Sequence, residues 1–153
     1  MLPRPVQPAD FPAIAELTNH YILRTSIHFG YEPVTADELR GAWEKSRERY
    51  PYLVLDADAA MATHPKSVAS DPGPDGPPVS HIAGYAKAGV WRDRAAYSWV
   101  AELGVYVHPA FHRLGVGKTL YRTIIDLARL QGFHTLIGGI TLPNDASVRL
   151  HES

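Results

Sequence analysis

Residues 112–119 read HRLGVGKT, and the reading of this stretch decides the fold. It ends like a nucleotide-binding P-loop, G-x-x-x-x-G-K-[ST], whose first glycine opens a turn so that successive amides surround a phosphate chain. Counting back from Gly117, that first glycine falls on residue 112, which is His. A dinucleotide-binding G-x-G-x-x-G fails as well, because Leu120 stands where the third glycine belongs. General physics remains: two glycines at a helix start allow close backbone approach, and unpaired amides there favour a pyrophosphate or a similar anion. A tight strand-to-helix turn that binds nothing is the other reading of these residues, and both stand at this point.

Working outward, the pattern is that of a mixed α/β chain. Residues 97–107 read as a long strand leading into the turn, with Gly104 marking a bulge or a close backbone approach. A helix follows over about residues 115–131, with Leu120, Tyr121, Ile124, Leu127 and Ala128 inward and Gly132 placed to end it in the left-handed conformation. Residues 134–142 look like a buried strand, and Pro143-Asn144-Asp145 turns into a last helix that runs to Ser153. Upstream, Asp10 is positioned to cap a helix to about Thr25 whose inner face carries Ile14, Leu17 and Tyr21. Before it, residues 4–7 form an edge strand or none, given Pro3 and Pro5. A second helix starts at Thr35, where Thr35 and Glu38 have capping-box spacing and Leu39 and Trp43 supply a buried stripe. Strands follow at residues 52–55 and 81–91.

Length and composition narrow the function classes. The chain has 153 residues, enough for a single domain spanning 1–153 and too few for two ordinary ones. Its 15 basic and 16 acidic side chains nearly cancel, so no bulk field draws nucleic acid or anionic lipid. The absence of cysteine excludes disulfides, thiolate metal sites and a covalent cysteine mechanism. No signal-like or membrane-length apolar run is seen, so a cytoplasmic protein without a membrane partner is expected. Residues 57–80, rich in Ala, Pro, Gly, Ser and Asp, read as a flexible insertion. His108 and His112 are four apart, but Pro109 breaks the helix such a metal pair would ride on, and no metal is expected.

The turn in its context resembles the acetyl-CoA signature of the GNAT acetyltransferases. More narrowly, the chain resembles the phosphinothricin and related amino-acid N-acetyltransferases through NHYI (19–22), RERYP (47–51), IAGYA (82–86), WRDRAAY (91–97) and LPNDASVRLHE (142–152). In order, these words cover most of the chain outside the insertion. The resemblance implies an α/β (mixed α+β) GNAT-like fold, a central mixed sheet flanked by helices. It also implies acetyl-CoA as cosubstrate and a small-molecule amine as acceptor.

A protonated amine has no lone pair, so a base must free it before it attacks a thioester. Glu102 is the only carboxylate between Asp93 and Asp126, and by resemblance it is that base. A strand glutamate paired with Arg92 or Arg94 is the plain alternative. The resemblance further implies that, if Gly104 splays the strand, backbone amides near Val105 and Tyr106 face the thioester oxygen, and that the strand edge through Val107 takes the pantetheine arm. Amides of Leu114, Gly115, Val116, Gly117 and Lys118 would hold the pyrophosphate with Arg113 nearby. His112 stands where relatives usually carry Gln or Arg. Asn144 matches a cofactor contact, and His151 matches the residue that meets the departing thiolate. Arg92 and Arg94, two apart and on one face of a regular strand, are candidates with Tyr97 for gripping a substrate anion, or are solvated strand-end charges. Phe29 and Tyr31 form an apolar wall of the pocket or part of the core.

The family pattern continues beyond the His-Glu pair through further strands, whereas this sequence stops at His151-Glu152-Ser153. The expectation is therefore a fold lacking its last strands and an open pocket. Three outcomes follow: a weak enzyme, a binder of acetyl-CoA without activity, or an assembly, such as a homodimer, in which another chain covers the gap. A P-loop phosphotransferase is the more distant alternative, carried by GVGKT alone.

Overall fold

The computed structural model describes residues 1–63, 77 and 80–153. Five strands lie side by side in chain order in one mixed sheet: β1 (Arg4–Pro5), β2 (Tyr52–Asp56), β3 (Ile82–Val90), β4 (Val100–Val107) and β5 (Thr135–Gly138). All neighbours are antiparallel except β4 and β5, which run parallel. A parallel pair needs a crossover, and α4 (Val116–Leu130) supplies it. Pro5 sits at the sheet edge, where its missing N–H breaks no ladder.

The alternation of side chains along β3 and β4 divides the core in two. On one face α1 (Phe11–Arg24) lays Phe11, Ile14, Leu17 and Tyr21 against Val54, Ile82 and Tyr85. On the other, the wholly buried Leu120, Ile124 and Ala128 of α4 pack on Leu53, Leu55, Ala86 and Leu103. Truncating one such leucine or isoleucine to Ala would cost about 2–5 kcal/mol. Gly132 takes the expected left-handed position at φ +86, and the Phe133 N–H returns to the Ala128 carbonyl at 3.0 Å to close α4.

Several sequence expectations are corrected. Asp10 does not cap α1 with its side chain. It ends a short 3-10 turn at Pro8–Asp10, and its buried carboxylate instead accepts from Arg4, His81 and the Gln7 N–H. Thr35 and Glu38 do form the capping box of α2 (Ala36–Ser46), but no residue of α2 is buried. Leu39 and Trp43 pack at the core's margin, with Trp43 tilted 5.4 Å from Phe11. The first part of the expected flexible insertion is helical: α3 (Ala57–Thr63) seats Ala57 and Ala60 in the core, because alanine favours helix and is small enough to pack flat. Residues 64–76, 78 and 79 of that insertion lie outside the described residues.

Gly104 makes no bulge, since β3 and β4 stay in register from Gly84↔Val107 to Val90↔Ala101. The strand expected from residue 97 begins at Val100, after a 3-10 turn at Ala95–Tyr97. The strand expected over 134–142 is only four residues long and half-exposed, ending where Gly138-Gly139 begins. The last helix, α5, covers Asp145–His151 rather than reaching Ser153. Among the described residues no helix is long and apolar enough to cross a membrane.

Candidate active site

The site follows from the short β5. It pairs with β4 only from Val100↔Thr135 to Leu103↔Gly138, while β4 continues to Val107 on its β3 side. From Gly104 onward the outer edge of β4 has no strand partner among the described residues, and the chain after Gly138 diverges from it. Two clefts open along this divergence. One is about 610 Å³ and the other about 340 Å³. They share Ile27, Val105, Tyr106, Asn144 and Ser147, so they are two chambers of one site.

The glycine turn lines the larger chamber. Gly115 is the N-cap of α4 with φ +80, a left-handed conformation that costs a residue with a β-carbon roughly 1–2 kcal/mol. No side chain caps this helix and its first turn holds no acid, so the amides at its start lack intrahelical acceptors. Arg113, itself left-handed at φ 63, lines the chamber with Gly117 and Lys118. Arg149 joins them from α5, and no Asp or Glu is among the lining residues. This donor set fits a pyrophosphate. Leu114 serves otherwise, anchoring the turn by burying its side chain in the core. His112 lines the chamber, but its Nε2–H faces the Val107 carbonyl at 3.1 Å and the Tyr21 hydroxyl at 3.2 Å. Its N–H is thus spent inside the protein, and a neutral ring offers the chamber only an acceptor.

The smaller chamber holds the candidate base. Glu102 lines it, half-buried, on the same sheet face as Tyr106, and no Arg pairs with it among the described residues. Its Oε1 lies 3.5 Å from where a β-carbon at Gly139 would sit. Burial, and then the Glu102 charge, push the Tyr106 hydroxyl up to about 12. His151 faces the same chamber from the end of α5. Its Nδ1–H donates to the Ser147 carbonyl at 2.8 Å and its ring tilts on Tyr121 at 4.7 Å, which leaves Nε2 for a ligand. Asn144 caps α5 by accepting from the Ser147 N–H at 3.2 Å, and its NH2 group has no partner among the described residues. Phe29, 66% exposed, forms part of the wall, whereas Tyr31, 93% exposed, belongs to neither chamber nor core.

Arg92, Arg94 and Tyr97 are placed elsewhere. β3 ends at Val90, so residues 91–97 leave the sheet and the two arginines do not share a strand face. Arg92 lies over the Trp91 and Tyr97 rings, and none of the three candidates lines either chamber. His108 is buried, with Nε2 donating to the Pro77 carbonyl at 3.1 Å, away from the exposed His112. Sequence reasoning missed Lys87, His28 and Arg149, all of which line the site. Lys87 had a legible signal, a cation inside an otherwise apolar strand run, IAGYAKAGV.

Comparison with known proteins agrees with this geometry. The model of the Acetyltransferase (GNAT) family matches residues 32–153. The chain is 37% identical to a phosphinothricin N-acetyltransferase of Streptomyces viridochromogenes over 98% of its own length and 70% of that relative's. It is 35% identical to an L-methionine sulfoximine/L-methionine sulfone acetyltransferase of Salmonella typhimurium, over 95% of this chain and 73% of the other. In three dimensions it resembles YncA of Salmonella typhimurium, solved with acetyl-CoA, with a TM-score of 0.82 and 31% identity over 99% of this chain and 76% of that one. The P-loop phosphotransferase reading of GVGKT is thereby overturned, and the chain belongs to the GNAT family of acetyltransferases.

Proposed function

We propose that the protein transfers the acetyl group of acetyl-CoA to the primary amine of a small amino acid or amino-acid analogue, with Glu102 as general base. The observation that carries this reading is the junction of the two chambers at Val105, Tyr106, Asn144 and Ser147, with a carboxylate in one and an uncapped helix start in the other. Acetyl-CoA, when bound, supplies an activated thioester carbonyl. Its pyrophosphate is held by the amides of Gly115 to Lys118, with Arg113, Lys118 and Arg149 balancing charge. The free edge of β4 from Gly104 to Val107 offers backbone groups to the pantetheine arm. Because Tyr106 pairs in register with Tyr85 and even-numbered residues of β4 bond toward β3, the Val105 N–H is the one turned to the open edge, where charge develops on the carbonyl oxygen.

Glu102 takes the proton that keeps the acceptor amine from attacking. His151 presents Nε2 to the departing sulfur. Because Nδ1 already donates to Ser147, Nε2 carries a proton for the thiolate only when the ring is an imidazolium. The acceptor class follows the relatives that act on phosphinothricin and methionine sulfone. The reading places the enzyme in the cytoplasm, where acetyl-CoA is available.

Mass spectrometry of products from phosphinothricin, L-methionine sulfoximine and L-methionine sulfone, with CoA thiol release followed in parallel, tests the proposal. The acetylated product is expected from at least one of them, with Glu102→Gln slower by roughly 100- to 10,000-fold. Product formation no faster than that of the variant would overturn it.

A further inference from the structure

Lys87 has no place in the machinery described so far, yet it lines the acceptor chamber. It lies on the middle strand pair, opposite Gly104, while Glu102 lies opposite Gly89. Lys87 and Glu102 are therefore diagonal neighbours on one sheet face, about 7–8 Å apart along the backbone. Gly104 shapes the route of the lysine. A β-carbon there would lie 3.9 Å from Lys87 Cγ and 4.0 Å from Cε, so the stem runs along a trough that the glycine leaves open.

A lysine led into a chamber in this way is costly unless it meets an anion. Among the described residues its ammonium makes no hydrogen bond or ion pair, and Glu102 is the carboxylate whose charge it feels. Burial pushes the ammonium below the ordinary lysine value and Glu102 draws it partly back. His28, on the same wall, is held below its ordinary value by burial and then by the Lys87 charge. The chamber is thus negative at Glu102 and positive at Lys87. An α-amino acid carries the complementary pair, an ammonium and a carboxylate on one carbon. The arginines expected to grip such a carboxylate lie outside the chamber, which leaves Lys87 as the cation on its wall.

We propose that Lys87 is the anchor for the acid group of the acceptor, so that the chamber selects molecules bearing a carboxylate beside the amine over plain amines. This rests on the acetyltransferase reading of the same site. With the carboxylate on Lys87, the amine is directed toward Glu102, and a neutral acceptor loses that orientation as well as the contact. Lysine acts here as a compact point charge, so Arg, with its planar fork, restores the attraction but not the fit.

The test uses the full chain, with L-methionine sulfone and its carboxamide as probes. Wild type is expected to acetylate the acid with kcat/KM roughly 10- to 100-fold above the carboxamide, the range of one lost charge-assisted hydrogen bond. Lys87→Met should abolish that preference by raising KM for the acid, leave the carboxamide unchanged, and keep acetyl-CoA affinity and thermal midpoint near wild type. Lys87→Arg should recover part of the preference. An equal loss on both probes would show that Lys87 acts through Glu102 and overturn the anchor. So would a wild type that does not discriminate. Calorimetry of both probes on CoA-saturated protein reads the anchor without turnover. Lys87-dependent binding of the acid without product would sink the proposed activity and keep the anchor, whereas CoA binding with no preference for the acid would sink the anchor alone.

Discussion

The imidazole of His151 lies directly on the backbone of Gly138, so that a β-carbon at Gly138 would sit 2.6 Å from both Cδ2 and Nε2. Two elements end here, β5 at Gly138 and α5 at His151. Tyr121 and the Ser147 carbonyl hold the ring from other sides, so it has little room to retreat.

Gly138→Ala is therefore expected to displace His151 rather than to unfold the sheet, since Gly138 is an exposed strand end. A displacement of about 1 Å at a catalytic group costs on the order of 100-fold. The expected result is a fall in kcat of that order with KM for acetyl-CoA near wild type, read from steady-state kinetics. An unchanged kcat would mean that Nε2 takes no part in the chemical step.

Gly115→Ala tests the other chamber. At φ +80 the methyl group meets only Met1 Cε at 3.5 Å, so backbone strain rather than collision sets the cost, roughly 1–2 kcal/mol. If the turn relaxes to escape that strain, the amides at the start of α4 rotate away from the phosphates. KM for acetyl-CoA should rise about tenfold while kcat at saturation falls little. Equal KM values in the two proteins would separate the turn from cofactor binding.

How much of this was legible differs between the halves of the site. The glycine turn is a local word, a helix start, and Glu102 stands out as a lone carboxylate, whereas His151 is singled out by the family resemblance alone; all three line the two chambers. Arg92 and Arg94, expected to share a strand face, line neither chamber because the backbone leaves the sheet after Val90. Lys87 is visible as a cation in an apolar run, but its place opposite Gly104 comes from register, which pairs residues 17 apart in sequence. Asp10 looked like a cap for the same reason. Its actual partners include His81, 71 residues away.

Tyr21→Phe probes the strut beneath the turn. The Tyr21 hydroxyl donates to the Val107 carbonyl at 2.6 Å, and the His112 N–H reaches the same oxygen at 3.1 Å. With two donors on one carbonyl, removing the hydroxyl leaves no orphan acceptor and should cost only about 1 kcal/mol. Tyr21→Phe combined with His112→Ala strips both donors, and the loss should exceed the sum of the single variants. Additive losses in urea melts would show that the two groups do not share the load.

Asp10 is expected to set the acid limit of the fold. Burial alone would raise its carboxyl, but Arg4, the Gln7 N–H and His81 together hold it down at about 2. Arg4 contributes twice, through Nη1 at 2.8 Å and Nη2 at 2.9 Å, while also gripping Asp56. Because the folded value lies below the unfolded one, this stabilisation is complete above the ordinary carboxylate value of 3.8 and is lost as pH falls toward about 2. Urea midpoints should hold between about pH 5 and 7 and drop steeply below about pH 4. Asp10→Asn cannot ionise, so it should lose about 2–3 kcal/mol at neutral pH and show a shallower acid decline. Parallel acid profiles for the two proteins would place the acid limit elsewhere, despite the burial of Asp10 at the joint between β1, α1 and β3.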